Sequence, residues 1–221
     1  KWINEANEVI VHGRKMVNYI KEDHGLDLAN INYVPLGFPK HNESSKIKIN
    51  SDRKPSTVLF FGRIWEYKGL DYLIRAEPII SAQIPNLEIV IAGEGEDFSK
   101  YENQMVNKER YKIKNYRIND EEIDELFQSS TLIMLPYVEA TQSGIIPLAY
   151  RYKLPIVVTD VGAISDYVIN EETGIVIPPR SEEKIAEAIV KLISNSNLRD
   201  DLANKGYKFL NNELSWETIS K

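Results

Sequence analysis

Thr57-Val58-Leu59-Phe60-Phe61-Gly62-Arg63-Ile64-Trp65-Glu66-Tyr67-Lys68-Gly69 reads as an apolar strand that breaks at a glycine, then a short loop carrying two cations, then the start of a helix near Gly69. A run that is apolar on both faces is what a buried parallel strand requires. In open parallel sheets, ligands bind beyond the carboxyl ends of the strands, and helix N-termini there favour anions. Arg63 and Lys68 are therefore candidates to converge on a diphosphate. A solvated surface loop with ordinary charges remains open on these residues alone.

Working outward, similar short apolar runs recur at residues 8–12, 32–35, 87–93, 111–116, 131–136, 155–159 and 174–177, mostly with helical patterns between them. Strands alternating with helices predict right-handed βαβ units and an α/β fold, a Rossmann-like parallel sheet with helices on both faces. Three helices carry cap and periodicity signals. Asn119 precedes Asp120, Glu121 and Glu122, with Ile123, Leu126 and Phe127 on one face. Ser181 precedes two acids, and Ile185, Ala188, Ile189 and Leu192 follow at helical spacing. A third helix is predicted from Leu198 to Leu210, burying Leu198, Leu202 and Phe209.

The stretch around residues 39–56 is polar, lysine-rich and aperiodic, and is predicted to be a linker or surface loop. It divides a strand-helix-strand opening, residues 1–38, from an α/β unit, residues 57–221. Starting at Lys1 inside an amphipathic segment, the sequence is expected to be part of a longer chain.

Composition narrows the function classes. With 43% hydrophobic and 27% charged residues, the 221-residue chain has a globular composition. Twenty-seven basic against 33 acidic residues give a net charge of −6 with no basic run, which argues against a nucleic-acid partner. Three histidines without metal-binding spacing, and no cysteine, predict neither a zinc site nor a disulfide framework. The apolar stretches fall far short of the roughly 20 residues of a membrane helix.

Two further strand ends carry candidate chemistry. Ile89-Val90-Ile91-Ala92-Gly93-Glu94-Gly95 runs a strand into G-x-G, where Gly93 and Gly95 would allow either close approach to a ligand or a tight turn. Leu135-Pro136-Tyr137-Val138-Glu139-Ala140-Thr141-Gln142-Ser143-Gly144 ends a strand and leads into a helix through Ala149 to Tyr152. The backbone N–H groups of Gln142, Ser143 and Gly144 are expected to face the same region as Arg63 and Lys68, ready for an anion. Pro147 falls in the first helical turn, where a missing N–H does least harm. Glu139 is either a carboxylate that accepts from sugar hydroxyls or an exposed loop acid. Thr159-Asp160-Val161-Gly162-Ala163 follows another strand end, and either lines the crevice or only makes a turn.

In this order, F-G-R-x-x-x-x-K-G at 61–69, I-x-I-A-G-x-G at 89–95, D-E-E-I-x-x-L-F at 120–127, L-P-Y at 135–137, P-I-V-V-T-D-V-G-A at 155–163, T-G-I-V-I-P-P at 173–179 and Ser215-Trp216 resemble the C-terminal domain of family 4 retaining glycosyltransferases of GT-B architecture. The opening also resembles them, with Val9–His12 as the last strand of the N-terminal domain and Val34–Gly37 as the crossover. The resemblance implies a nucleotide-diphosphate-sugar donor as co-substrate, no cofactor and no metal. It implies that Gly62, Arg63 and Lys68 hold the diphosphate, Glu139 contacts the transferred sugar, and the base lies near Tyr116, Arg117 and Ile118. The glutamate that usually holds the ribose, eight positions after Glu139, is Pro147 here, which points to a subgroup whose T-Q-S-G loop supplies the amides of Gln142, Ser143 and Gly144 instead. A glycan, lipid or small-molecule acceptor would be bound by an N-terminal domain outside these residues, in the cytoplasm or at the inner face of the membrane. A non-catalytic nucleotide-sugar-binding domain, or another GT-B enzyme such as a nucleotide-sugar epimerase, is the competing expectation.

Overall fold

A computed structural model describes residues 6–24, 30–39 and 56–220. The linker expected over 39–56 lies almost wholly outside the described residues. Each apolar run forms a strand: β1 Val9–Val11, β2 Ile31–Tyr33, β3 Thr57–Phe61, β4 Glu88–Ala92, β5 Tyr111–Lys114, β6 Leu132–Leu135, β7 Ile156–Thr159 and β8 Ile175–Ile177. The helices are α1 Arg14–His24, α2 Leu70–Ser81, α3 Ser99–Glu102, α4 Asp120–Ser129, α5 Ile145–Arg151, α6 Ile164–Tyr167, α7 Glu182–Ser194, α8 Ser196–Asn212 and α9 Trp216–Ile219.

β1 and β2 pair in parallel as a small sheet of their own, joined through α1. The remaining strands form one parallel sheet in the order β5-β4-β3-β6-β7-β8. After β5 the chain crosses back to place β6 on the other side of β3. The strand order therefore reverses between β3 and β6, and a crevice opens at their carboxyl ends.

Pleating sorts the apolar residues between two cores. Val58 and Phe60 of β3 and Ile89 and Ile91 of β4 pack under α2 and α7, whereas Leu59, Val90 and Ala92 face the side covered by α4, α5, α6 and α8. The predicted caps form: Asn119 Oδ1 accepts from Glu122 N at 2.9 Å, and Ser181 Oγ accepts from Lys184 N at 3.2 Å. In α8 the buried stripe is Leu202, Ala203, Gly206 and Leu210. Leu198 and Phe209, expected to be buried, flank this stripe and are only partly covered, and Gly206 within it packs against the ring of Tyr150.

The opening unit docks on the carboxyl side of the large sheet. Tyr167 donates from its hydroxyl to His12 O and accepts from Leu36 N, both at 2.8 Å. Lys15 pairs with Asp160 at 2.6 Å, and the Arg14 backbone N–H donates to Asp166 at the same distance.

The loops leaving β3 and β6 touch backbone to backbone. Gly69 lies in the left-handed region at φ 68°, and a Cβ there would come within 2.0 Å of Pro136 O. Gly69→Ala combines backbone strain with a steric collision, and is expected to lower the unfolding free energy by about 2–4 kcal/mol in urea denaturation. An unchanged midpoint would show that the two loops are not locked together.

Candidate functional site

Lys68 closes a short 3₁₀ turn, Glu66–Lys68, between the end of β3 and the start of α2. Its ammonium lies 3.7 Å from the centroid of the Tyr137 ring and 5.1 Å from that of Tyr67. Tyr137 is buried, and its hydroxyl lies 3.0 Å from Ser143 Oγ, which in turn accepts from Ile145 N at 3.3 Å. A chain of contacts thus runs from Lys68 through Tyr137 to the loop that opens α5. Thr159 Oγ1 donates to the Tyr137 carbonyl at 2.5 Å and ties the same residue to the end of β7. The sequence signal for Tyr137 was its place in the L-P-Y segment, but its role as the platform under Lys68 depends on a contact between two loops.

Neither Arg63 nor Lys68 meets a carboxylate among the described residues, although many other lysines do: Lys100 with Glu96, Lys114 with Glu122 and Lys191 with Glu171 are examples. Burial, and secondarily the neighbouring Arg63 guanidinium, pushes the Lys68 ammonium down to about 8. Arg63 is exposed on the same loop, and no protein carboxylate neutralises either cation among the described residues. Across the crevice, the backbone N–H groups of Gln142, Ser143 and Gly144 donate to no protein acceptor among the described residues. Gln142 and Gly144 are exposed, and Gly144 precedes α5 at its positive end. Lys68 and the amide loop thus meet on opposite parts of one residue, Tyr137. Such a place suits an anion, which would relieve the repulsion and satisfy the amides.

Other expected residues fall differently. Gly93 and Gly95 permit a close approach to the neighbouring loop: added Cβ atoms would come within 1.9 Å of Gly62 O and 2.0 Å of Ile64 O. The loops after β3 and β4 remain paired there, through Ile64 N to Glu94 O at 2.9 Å and Glu96 N to Ile64 O at 3.0 Å. Arg117 is exposed in the loop after β5, while Ile118 packs against the α4 side of the core. Beside them Tyr116 donates from its hydroxyl to Glu122 at 2.7 Å. Gly162 makes a turn against the Ala140 carbonyl, and Asp160 is engaged by Lys15.

Glu139 is held by its backbone, with its N–H and that of Val138 both donating to Tyr67 O, at 3.4 and 2.9 Å. The residue is exposed and lines a cleft of about 610 Å³, which is not lined by Arg63, Lys68 or Gln142–Gly144. Pro147 is the third residue of α5. It is buried and lines a small pocket with Phe38, Leu148 and Leu210, a mainly apolar surrounding.

An open parallel sheet with a ligand crevice where the strand order reverses is the architecture of the Rossmann-like nucleotide-binding domains. Within that class the chain belongs to the group 1 glycosyl transferases, whose family model matches residues 41–209. An uncharacterized glycosyltransferase of Methanocaldococcus jannaschii, MJ1607, is 30% identical over 82% of this chain and 46% of its own length. The chain spans about half the length of the curated relatives it matches. The Staphylococcus aureus TarM G117R mutant, solved with Fondaparinux, alpha-GlcNAc-glycerol and UDP, superimposes with a TM-score of 0.82 at 19% identity, over 98% of this chain and 43% of that one. Anabaena HepE, solved with UDP, gives 0.81 at 17% identity over 97% and 61%. These structures share the fold, that of the C-terminal half of a GT-B glycosyltransferase.

Lowering of the Lys68 value has a definite sign for stability. The unfolded chain holds this proton up to the ordinary 10.5, the folded chain only to about 8. The charged lysine therefore opposes folding below about pH 8, and that opposition fades as the pH rises towards 10.5. Relative to Lys68→Met, the wild-type chain should gain stability between pH 7 and pH 10 in denaturant titrations. A pH-independent difference would contradict the half-buried, uncompensated placement.

Proposed function

We propose that this chain is the donor-binding half of a family 4 retaining glycosyltransferase that moves a sugar from a nucleotide-diphosphate sugar without a bound metal. The observation that carries this reading is the pair of uncompensated cations, Arg63 and Lys68, at the carboxyl end of β3. The free amides of the 142–144 loop lie across the same crevice.

The diphosphate sits between them. As the bond from the sugar's anomeric carbon to the phosphate oxygen breaks, negative charge grows on the leaving group, and the two cations are placed to stabilise it. The new bond forms to an acceptor hydroxyl on the same face of the sugar, and that hydroxyl's proton passes to the departing phosphate. Glu139 accepts hydrogen bonds from hydroxyls of the transferred sugar. The base reaches the loop of Tyr116, Arg117 and Ile118, two strands away from β3, a displacement of about 10 Å at the usual strand spacing. That separation suits the span from a diphosphate to a base. The UDP held by TarM and HepE supports a uridine or similar nucleotide. The acceptor, a glycan or lipid-linked molecule, is held by an N-terminal domain outside these residues, in the cytoplasm or at the membrane's inner face. Pro147 favours a second reading, a domain that binds nucleotide sugar without turning it over; the full-length protein would then bind donor yet transfer to none of a broad acceptor panel.

Two substitutions probe the cations and one pair probes the amides. In calorimetry with UDP, Arg63→Ala or Lys68→Ala is expected to weaken binding by about 10–100-fold, as befits a lost charged hydrogen bond. Unchanged affinity in both would remove them from the site. Gly144 has φ −68°, and open space lies around an added Cβ. Gly144→Ala should therefore bind normally, while Gly144→Pro, which deletes one N–H at a compatible φ, should bind more weakly. Equal affinity in the two variants would count against the amide role.

A further inference from the structure

We propose that the cleft walled by Trp65, Tyr67 and Tyr72 is a second carbohydrate subsite that takes an uncharged pyranose ring of a glycan, apart from the diphosphate crevice. Its volume of about 610 Å³ falls within the roughly 300–1,000 Å³ usual for small-molecule sites. Four strand ends build it: the loop after β3 with the first turn of α2, and the loops after β4, β6 and β8.

The lining chemistry selects the ligand. Trp65 and Tyr67 are 46% and 43% exposed; the Lys68 ammonium lies over one face of Tyr67 and the Arg75 guanidinium over Tyr72, so Trp65 supplies the main open ring surface. Such faces pack against the C–H face of a sugar ring, and their polar edges stay wet. Of the four carboxylates at the cleft, Asp71 is held by Arg75 at 3.0 Å and Glu96 by Lys100 at 2.8 Å and the Tyr101 hydroxyl at 2.6 Å. The carboxylates of Glu66 and Glu139 have no partner among the described residues. Glu66 accepts from the hydroxyls of the bound ring and Arg180 supplies donors, while Glu139, assigned above to the transferred sugar, stands at the edge that the two sites share. Arg180 sits in the left-handed region at φ 60°, a strained conformation for a non-glycine residue.

Two free carboxylates against one guanidinium make the cleft unfavourable for phosphate or uronate groups. This is the opposite balance from the Arg63 and Lys68 crevice, and it separates the two sites by ligand class. The floor is fixed, because Val138 and Glu139 both donate to the Tyr67 carbonyl. With Glu139 at its edge, a ring bound here would lead a glycan away from the transfer site; that last role rests on the function proposed above, whereas sugar binding does not.

The test follows the Trp65 indole by 15N NMR during titration of the 221-residue chain with maltotriose, chitotriose and trigalacturonate, with and without saturating UDP. At least one of the two uncharged saccharides should give saturable shifts that persist with UDP present, and trigalacturonate should give none. By calorimetry, Trp65→Ala and Glu66→Gln should each weaken that saccharide at least tenfold, Trp65→Phe should restore most of the affinity, and UDP binding should be unchanged in Trp65→Ala. The proposal is overturned if neither uncharged saccharide binds, if Trp65→Ala binds as wild type does, or if UDP displaces the saccharide. Saccharide binding without any UDP binding would sink the donor reading and leave the cleft standing.

Discussion

Backbone contacts among the loops that leave β3, β4 and β6 hold the site in shape. Gly69 lies against the Pro136 carbonyl, Gly93 lies against that of Gly62, and Tyr67 O receives two N–H groups from Val138 and Glu139. Because these contacts involve main chain rather than long side chains, they set the backbone of Lys68 beside Tyr137, and only the lysine side chain itself has to be ordered to reach the ring. The same contacts place the first residues of α2 beside the β6 loop. The crevice and the aromatic cleft are therefore shaped by one set of interlocked strand ends.

Electrostatics explain why this arrangement is poised for a ligand. The chain carries a net charge of −6, so carboxylates are plentiful, and surface lysines such as Lys15, Lys100 and Lys205 find them. Lys68 instead gives up solvent for an aromatic face and a neighbouring guanidinium, which pushes its ammonium down to about 8. An entering diphosphate would offset both penalties, since its negative charge favours the ammonium in a half-dry place. Of the nearby acids, Glu96 is taken by Lys100 and Tyr101, and Glu139 stands at the edge of the neighbouring cleft rather than against Lys68.

The strands could be read from sequence because each buried parallel strand is a short run apolar on both faces, and the caps at Asn119 and Ser181 are local signals. The places of Arg63, Lys68 and the 142–144 loop were readable for a related reason, since each follows the end of such a run. Gly93 and Gly95 were legible as special positions, but not what they approach, because Gly62 and Ile64 lie on a different strand's loop. Tyr137 was hidden for the same cause. The cleft draws Trp65, Asp71, Glu96, Glu139 and Arg180 from distant segments, and no spacing in the chain announces such a meeting. Burial of Pro147 beside Phe38 likewise depends on where residues 38 and 39 return to the domain.

A crystal structure of this chain with UDP bound tests the central claim most directly. The account predicts the diphosphate between the Lys68 ammonium, the Arg63 guanidinium and the N–H groups of Gln142 to Gly144, with the uracil towards Tyr116. A nucleotide bound elsewhere, with Lys68 still resting on Tyr137 and no phosphate within hydrogen-bonding reach of it, would contradict the account.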